Sequence, residues 1–270
     1  MRKEPRCKIV LLTGGSSGIG AATAVLLASK GVKVYAASRS GQAPEDPNII
    51  PVVMDVNDEA AVRQTVSEII RQESHLDAVI CNAGNGIAGS IEDTSIDEAR
   101  YQFETNFYGA VRVIDACLPH FRTQAFGRVI TVTSVAGFIP IPFQGFYSSA
   151  KAALLMLTKA LSMEVRPFGI QCCSILPGDT RTGFTSARKY VAAADSAAYS
   201  RVMRRSTSKM EKDERKGMPP ERIAIDIWKQ LQARRMRMTV TPRLDYKAIE
   251  LFSRFLPERI VMFFVRVLYC

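Results

Sequence analysis

The sequence predicts an α/β fold: one domain built on a doubly wound parallel sheet with helices on both faces. Three observations lead there. Apolar runs of strand length recur near residues 8–13, 32–37, 50–54, 77–81, 127–133, 170–175 and 238–241. Helical patterns separate most of them, near 18–30, 58–73, 97–118 and 145–165. Such βαβα alternation with short turns gives a parallel sheet covered on both sides. At 270 residues the chain suits one large domain with core enough to fold alone.

The first strand-like run ends in Thr13-Gly14-Gly15-Ser16-Ser17-Gly18-Ile19-Gly20 and opens a helical pattern. A strand that ends in a glycine turn and feeds a helix aims free N–H groups and a positive dipole end at one spot, which suits a pyrophosphate. Gly14 permits the sharp turn, Gly18 the close approach of backbone to phosphate, and Gly20 the close packing of helix on sheet. The spacing is Gly-x-x-x-Gly-x-Gly rather than the commoner Gly-x-Gly-x-x-Gly; alone it is suggestive of a Rossmann-type dinucleotide fold. Right-handed crossovers then place the cofactor at the carboxyl ends of the strands, where strand order reverses. The second link, Ser38 to Ile49, contains Gly41, Pro44 and Pro47 and reads as a loop where a crossover helix would normally lie. Ser38-Arg39 follow the second strand, with no carboxylate before Glu45. A carboxylate there would bind a ribose 2′-OH, whereas a guanidinium clamps a 2′-phosphate, aided by Ser16. NADP(H) is therefore the expected cofactor. Gly84-Asn85-Gly86-Ile87-Ala88-Gly89 spells Gly-x-Gly-x-x-Gly, but Ile91 to Asp97 after it reads as loop. That stretch is expected to be a flexible loop on the substrate side.

Far downstream, Ser134 closes an apolar run and stands thirteen residues before Tyr147, itself four residues before Lys151. On a helix, Tyr147 and Lys151 share one face, a turn apart. A phenol titrates near ~10. A neighbouring ammonium should lower that value and let Tyr147 exchange a proton with an alcohol or ketone. Ser134 is placed to bond the same substrate oxygen.

With Thr13-Gly14-x-x-x-Gly18-Ile19-Gly20, Asp55-Val56, Cys81-Asn82-Ala83-Gly84, Asn106, Ser134, Tyr147-x-x-x-Lys151, and Pro177-Gly178 with Thr182 in this order, the chain resembles the single-domain short-chain dehydrogenase/reductases. Within them it looks most like the hydroxysteroid dehydrogenase-like branch, which also holds retinol and acyl-glycerone-phosphate reductases. The resemblance runs from about Lys8 to Pro177-Gly178; Cys81 stands where Asn is usual. It implies a catalytic set of Asn106, Ser134, Tyr147 and Lys151, with Asn106 anchoring a water that links Lys151 to solvent. It implies that Asp55 and Val56 hold the adenine, and that Asn82, Ala83 and Gly84 meet the adenosine ribose. Lys151 would also hold the nicotinamide ribose, and Pro177, Gly178, Thr180 and Thr182 would pack along the nicotinamide. The family usually has an aliphatic residue at Thr180. Residues 183–217 would form a helical lid, and Ile139, Phe143, Phe146 and Phe184 an apolar pocket. The expected reaction is hydride transfer between NADP(H) and a secondary alcohol or ketone on a steroid, retinoid or lipid-like substrate. An acyl-glycerone-phosphate-type ketone, or a regulatory protein that binds NADPH without turnover, are the alternatives. A homo-oligomer, dimer or tetramer, is expected.

Composition narrows the field. The only histidines are His75 and His120, both in polar helix ends, which argues against a His-based or zinc dehydrogenase; no metal is expected. The six cysteines contain no Cys-x-x-Cys pair and read as thiols of a reducing compartment. The charged N-terminus and the short apolar run behind it do not read as a signal peptide. No stretch of eighteen uncharged apolar residues exists. The net charge of +10 is uneven: residues 1–180 carry 16 Lys and Arg against 17 Asp and Glu, residues 181–270 carry 20 against 9. The excess suits a solvated face, or attraction to anionic lipid or an anionic substrate. Without aromatic-basic interleaving, nucleic acid is not an expected partner. The tail at 247–270 is apolar but interrupted by Arg254, Arg259 and Arg266, and Pro257 fits a helix first turn. It would lie on a membrane surface, or pack over the cleft or a partner subunit, the last two together being preferred. A cytoplasmic location is expected, with membrane association through this tail as the variant.

Overall fold

The computed structural model describes residues 6–270, apart from the side chain of Arg254. The first half runs β1 (Ile9–Thr13), α1 (Gly18–Ala28), β2 (Lys33–Ser38), β3 (Ile49–Val53), α2 (Glu59–Glu73), β4 (Ala78–Cys81), β5 (Ile87–Ala88), α3 (Ile96–Phe103) and α4 (Gly109–Thr123). The second runs β6 (Gly127–Val132), α5 (Gly145–Glu164), β7 (Ile170–Ile175), α6 (Phe184–Ala187), β8 (Lys189–Tyr190), α7 (Ser200–Arg215), α8 (Pro220–Gln232), β9 (Thr239–Val240), α9 (Leu244–Phe255) and α10 (Glu258–Tyr269).

Seven strands pair in parallel in the order β3-β2-β1-β4-β6-β7-β9. Chain order reverses between β1 and β4, which is where a doubly wound sheet opens its crevice. Every apolar run read as a strand lies in this sheet. β1 is buried throughout, and its side chains alternate between two cores. Ile9 and Leu11 join Val62, Val113 and Leu154 of α2, α4 and α5 on one face. Val10 and Leu12 join Leu27, Ile223 and Ile227 of α1 and α8 on the other.

Three features go beyond the sequence pattern. The helix expected over 97–118 is α3 and α4 joined by a π turn, Glu104–Tyr108. A wider turn of this kind rotates the following residues and often marks a functional position; here it carries Asn106 inward. No helix is apparent in the sequence at 220–232, because charged residues dilute the pattern. Yet Ile223, Ile227 and Leu231 recur on one face of α8 and are fully buried, and Arg128 of β6 reaches over to cap it. That buried guanidinium donates to the carbonyls of Gln230 and Ala233 at the helix's C-terminal end, where cations are favoured. Finally, the Gly84–Gly89 stretch forms β5, which pairs with β8 and so ties the substrate side of the cleft to the 183–217 region. The Ser38–Ile49 link contains no helix, as expected. Among the described residues no helix is long and apolar enough to cross a membrane.

Candidate active site

The turns that follow β1, β2, β3, β4, β6 and β7 all open on one cavity of about 530 Å³ at the carboxyl edge of the sheet. Gly14, Ser16, Ser17, Gly18 and Ile19 border it after β1, Arg39 after β2, and Asp55 and Val56 after β3. Asn82, Ala83 and Gly84 follow β4, Ser134 follows β6, and Pro177, Gly178, Thr180 and Thr182 follow β7, with Tyr147 and Lys151 reaching in from α5. Of the expected catalytic and cofactor residues, Gly20 and Asn106 do not border it, nor do Ile139, Phe143 and Phe146 of the expected apolar pocket.

The glycine turn is shaped for close approach. Gly14 (φ +68°) and Gly18 (φ +54°) adopt the left-handed conformation, which side chains disfavour. A Cβ on Gly20 would meet the Gly14 carbonyl at 2.0 Å, so helix and turn tolerate no side chain there. Asn82 fastens the turn, its Nδ2 donating to the carbonyls of Thr13 at 3.0 Å and Gly14 at 3.1 Å. Thr13 Oγ1 accepts from the amides of Asn82 and Ala83, each at 3.0 Å. The open N-terminus of α1 faces the cavity, and Ser17 at its cap makes no side-chain capping bond. Arg39 is exposed on the rim and forms no ion pair among the described residues. A narrow glycine cradle after β1, with an unpaired guanidinium on the rim after the neighbouring β2, fits a dinucleotide.

At the far end Lys151 Nζ donates to the Val132 carbonyl at 3.0 Å and lies 5.8 Å from the Tyr147 ring. Behind Gly84, buried Asn106 donates through Nδ2 to Asn85 Oδ1 at 2.7 Å and to the Gln102 carbonyl at 2.9 Å. Its Oδ1 is buried and has no hydrogen-bond partner among the described residues. That oxygen and Lys151 Nζ both flank Gly84, 2.8 and 3.4 Å from where a Cβ would stand. An orphan acceptor beside an ammonium is a place for a bridging water.

The electrostatics correct one expectation. Lys151 does not bring the Tyr147 phenol down; burial pushes it up to about 12, the Ser134 hydrogen bond opposes this, and the Glu214 carboxylate adds to it. Lys151 spends its nearest contact on Val132, and burial brings its own value down to about 8. The apolar pocket is also redrawn. Phe184 packs on Tyr147 with ring centres 5.7 Å apart, whereas Phe143 and Phe146 line a separate small recess with Ile87 and Gln102. His75 bonds the Glu73 carbonyl at 2.9 Å, and neither histidine borders the cavity.

Asp179, Glu214, Tyr246 and Tyr269 also line the cavity and were not legible as site residues. Asp179 is marked only by following Pro177-Gly178. Glu214 sits in α7, held by Thr185 Oγ1 at 2.7 Å and by an ion pair with buried Arg188. The two tyrosines come from α9 and α10, which fold back over the Pro177–Asp179 turn. No local pattern announces such a return.

Residues 8–190 match the family described as short chain dehydrogenase. The chain is 36% identical over 269 residues to the 3-ketodihydrosphingosine reductase of Bacteroides thetaiotaomicron, covering 97% of this chain and 98% of that protein. It is 29% identical over 242 residues to dehydrogenase/reductase SDR family member 7B of Bos taurus, 84% of this chain and 71% of that one. A crystal structure of a short-chain dehydrogenase from Streptomyces avermitilis superimposes with a TM-score of 0.83 at 26% identity, over 92% of this chain and 93% of that chain.

Proposed function

Because this chain belongs to the short-chain dehydrogenase/reductase family, we propose that it is an NADP(H)-dependent reductase of a long-chain lipid ketone. The observation that carries the substrate class is the end-to-end match to a reductase of a long-chain lipid ketone. It supports a lipid chain over a steroid or retinoid skeleton. A phosphorylated lipid ketone is the second reading, favoured by the basic C-terminal third, 20 Lys and Arg against 9 Asp and Glu. The choice of NADP(H) is supported by Arg39 on the cavity rim and by the absence of a carboxylate at the end of β2.

A bound NADPH would supply the hydride. In this reading Gly14 to Gly20 and the α1 N-terminus hold the pyrophosphate, while Ser16 and Arg39 hold the 2′-phosphate. Asp55 and Val56 hold the adenine, and Asn82 to Gly84 the adenosine ribose. Lys151 holds the second ribose, with Pro177, Gly178, Thr180 and Thr182 along the ring. Ser134 Oγ bonds the substrate oxygen and Tyr147 gives it a proton. The Tyr147 phenol is protonated at neutral pH, the state from which it can give a proton to a developing alkoxide. Asn106 Oδ1 and Lys151 Nζ then bracket the water that restores the proton.

The test is NADPH oxidation with a panel of ketones: long-chain 3-keto bases, acyl-glycerone phosphates and steroid ketones. Turnover is expected with one of the two lipid classes. Turnover confined to steroids, or none with any ketone, contradicts the reading.

A further inference from the structure

The C-terminal helix pair has two opposite faces. On α9, Leu244, Leu251, Phe252 and Phe255 are exposed, Leu244 and Phe255 each by 79%. On α10, Ile260, Phe263, Phe264, Val267 and Leu268 are exposed. At a helical period, 244, 251, 252 and 255 share one face of α9, and 260, 263, 264, 267 and 268 share one face of α10. Each helix therefore carries a full apolar stripe that none of the described residues covers. The inner faces are engaged. The Tyr246 ring lies so close to Gly178 that a Cβ there would meet it at 2.1 Å, and its phenol donates to the Asp179 carboxylate. Tyr246 and Tyr269 both border the cavity, and Val265 of α10 is buried.

We propose that α9 and α10 form a docking hairpin for anionic lipid membranes, lying in the interface by their outer stripes while their inner faces roof the catalytic cavity. Charge selects the occupant. Lys247, Arg259 and Arg266 are exposed and form no ion pair among the described residues. On the helical wheel Arg259 and Arg266 fall together on one flank of the α10 stripe. Apolar stripes edged by cations match a negatively charged lipid surface. A second copy fits less well, because a two-fold interface sets like patches against each other and would bring these cations together. A lipid drawn from the bilayer would meet the roof of the cavity without crossing water; this last step alone rests on the lipid-ketone reading.

The experiment is flotation of the full-length protein with vesicles of phosphatidylcholine alone or mixed with phosphatidylglycerol. The expected result is binding to the anionic vesicles that weakens with added salt. The triple variant Phe255→Ser, Phe263→Ser, Phe264→Ser should lose that binding at least tenfold while keeping its melting temperature and its turnover of a short water-soluble ketone. Arg259→Gln with Arg266→Gln should weaken anionic binding by about fivefold per charge. Failure of the folded wild type to bind either vesicle overturns the proposal. So does light scattering that shows a wild-type dimer split by the triple variant, with vesicle binding unmoved. A protein that docks but reduces no ketone refutes the reductase reading and leaves the docking hairpin standing.

Discussion

Lys151 is buried and Tyr147 half-buried, and loss of water moves them in opposite directions, the phenol up to about 12 and the ammonium down to about 8. Their helical spacing is plain in the sequence, but the depth of the site is not, and depth outweighs the pairwise attraction that spacing suggests. For Lys151 the fall from 10.5 to about 8 makes its charge a burden on the folded state, worth about 3 kcal/mol. The sign follows: below pH 8 the lysine is charged in both states and the burden is full. As pH rises from 8 to about 10.5 the folded chain gives up its proton first and the burden fades. Lys151→Met should therefore abolish turnover yet raise the melting temperature at pH 7, with the gain shrinking over that window. The lost bond to Val132 offsets only about 1 kcal/mol. A melting temperature unchanged or lowered at pH 7 would refute the assignment. Arg39 is legible for a simpler reason, since it follows a strand end that the sequence marks clearly. Arg39→Asp should cut the preference for NADPH over NADH by about a hundredfold in kcat/KM, the scale of lost charge-assisted bonds; unchanged selectivity would dismiss the clamp.

At the scale of elements, all seven strands and the helices α1, α2 and α5 were legible, because central strands read as unbroken apolar runs and their turns carry glycine or proline. Motif residues sit at strand ends, so correct strands placed nearly every expected residue on one cavity. The misses have physical causes. The π turn at Glu104–Tyr108 changes the helical period for a single turn, too short a span for periodicity to register. α8 keeps its apolar residues on one narrow stripe amid charges, and its partner α1 and its cap Arg128 lie far away in sequence. Ile227 is fully buried on that stripe. Ile227→Ala should cost about 2–5 kcal/mol of stability by denaturant titration while specific activity per folded molecule holds. A loss under 1 kcal/mol would mean that α8 is not part of the core.

Over the whole molecule the chain divides into a near-neutral sheet domain that was legible and a basic C-terminal third legible only in part, through the β9 run and Pro257 at the start of α10. The first 180 residues hold motifs whose order fixes their partners. The last 90, with 20 Lys and Arg against 9 Asp and Glu, fold back through tertiary contacts such as Tyr246 with Asp179. Of the three placements considered for the tail, the structure shows it over the cleft. Glu214, Tyr246 and Tyr269 thus come from the weakly patterned third to complete a cavity begun by the strong one. The proposed reaction turns on one phenol, Tyr147, as the proton donor to the reduced carbonyl. The most direct measurement is NADPH oxidation by Tyr147→Phe with a ketone that the wild type reduces, alongside NADPH binding followed by fluorescence. The account predicts binding within about twofold of wild type and turnover lowered by at least about a hundredfold, the share of a general acid. Turnover within a few fold of wild type, with NADPH still bound, would contradict it.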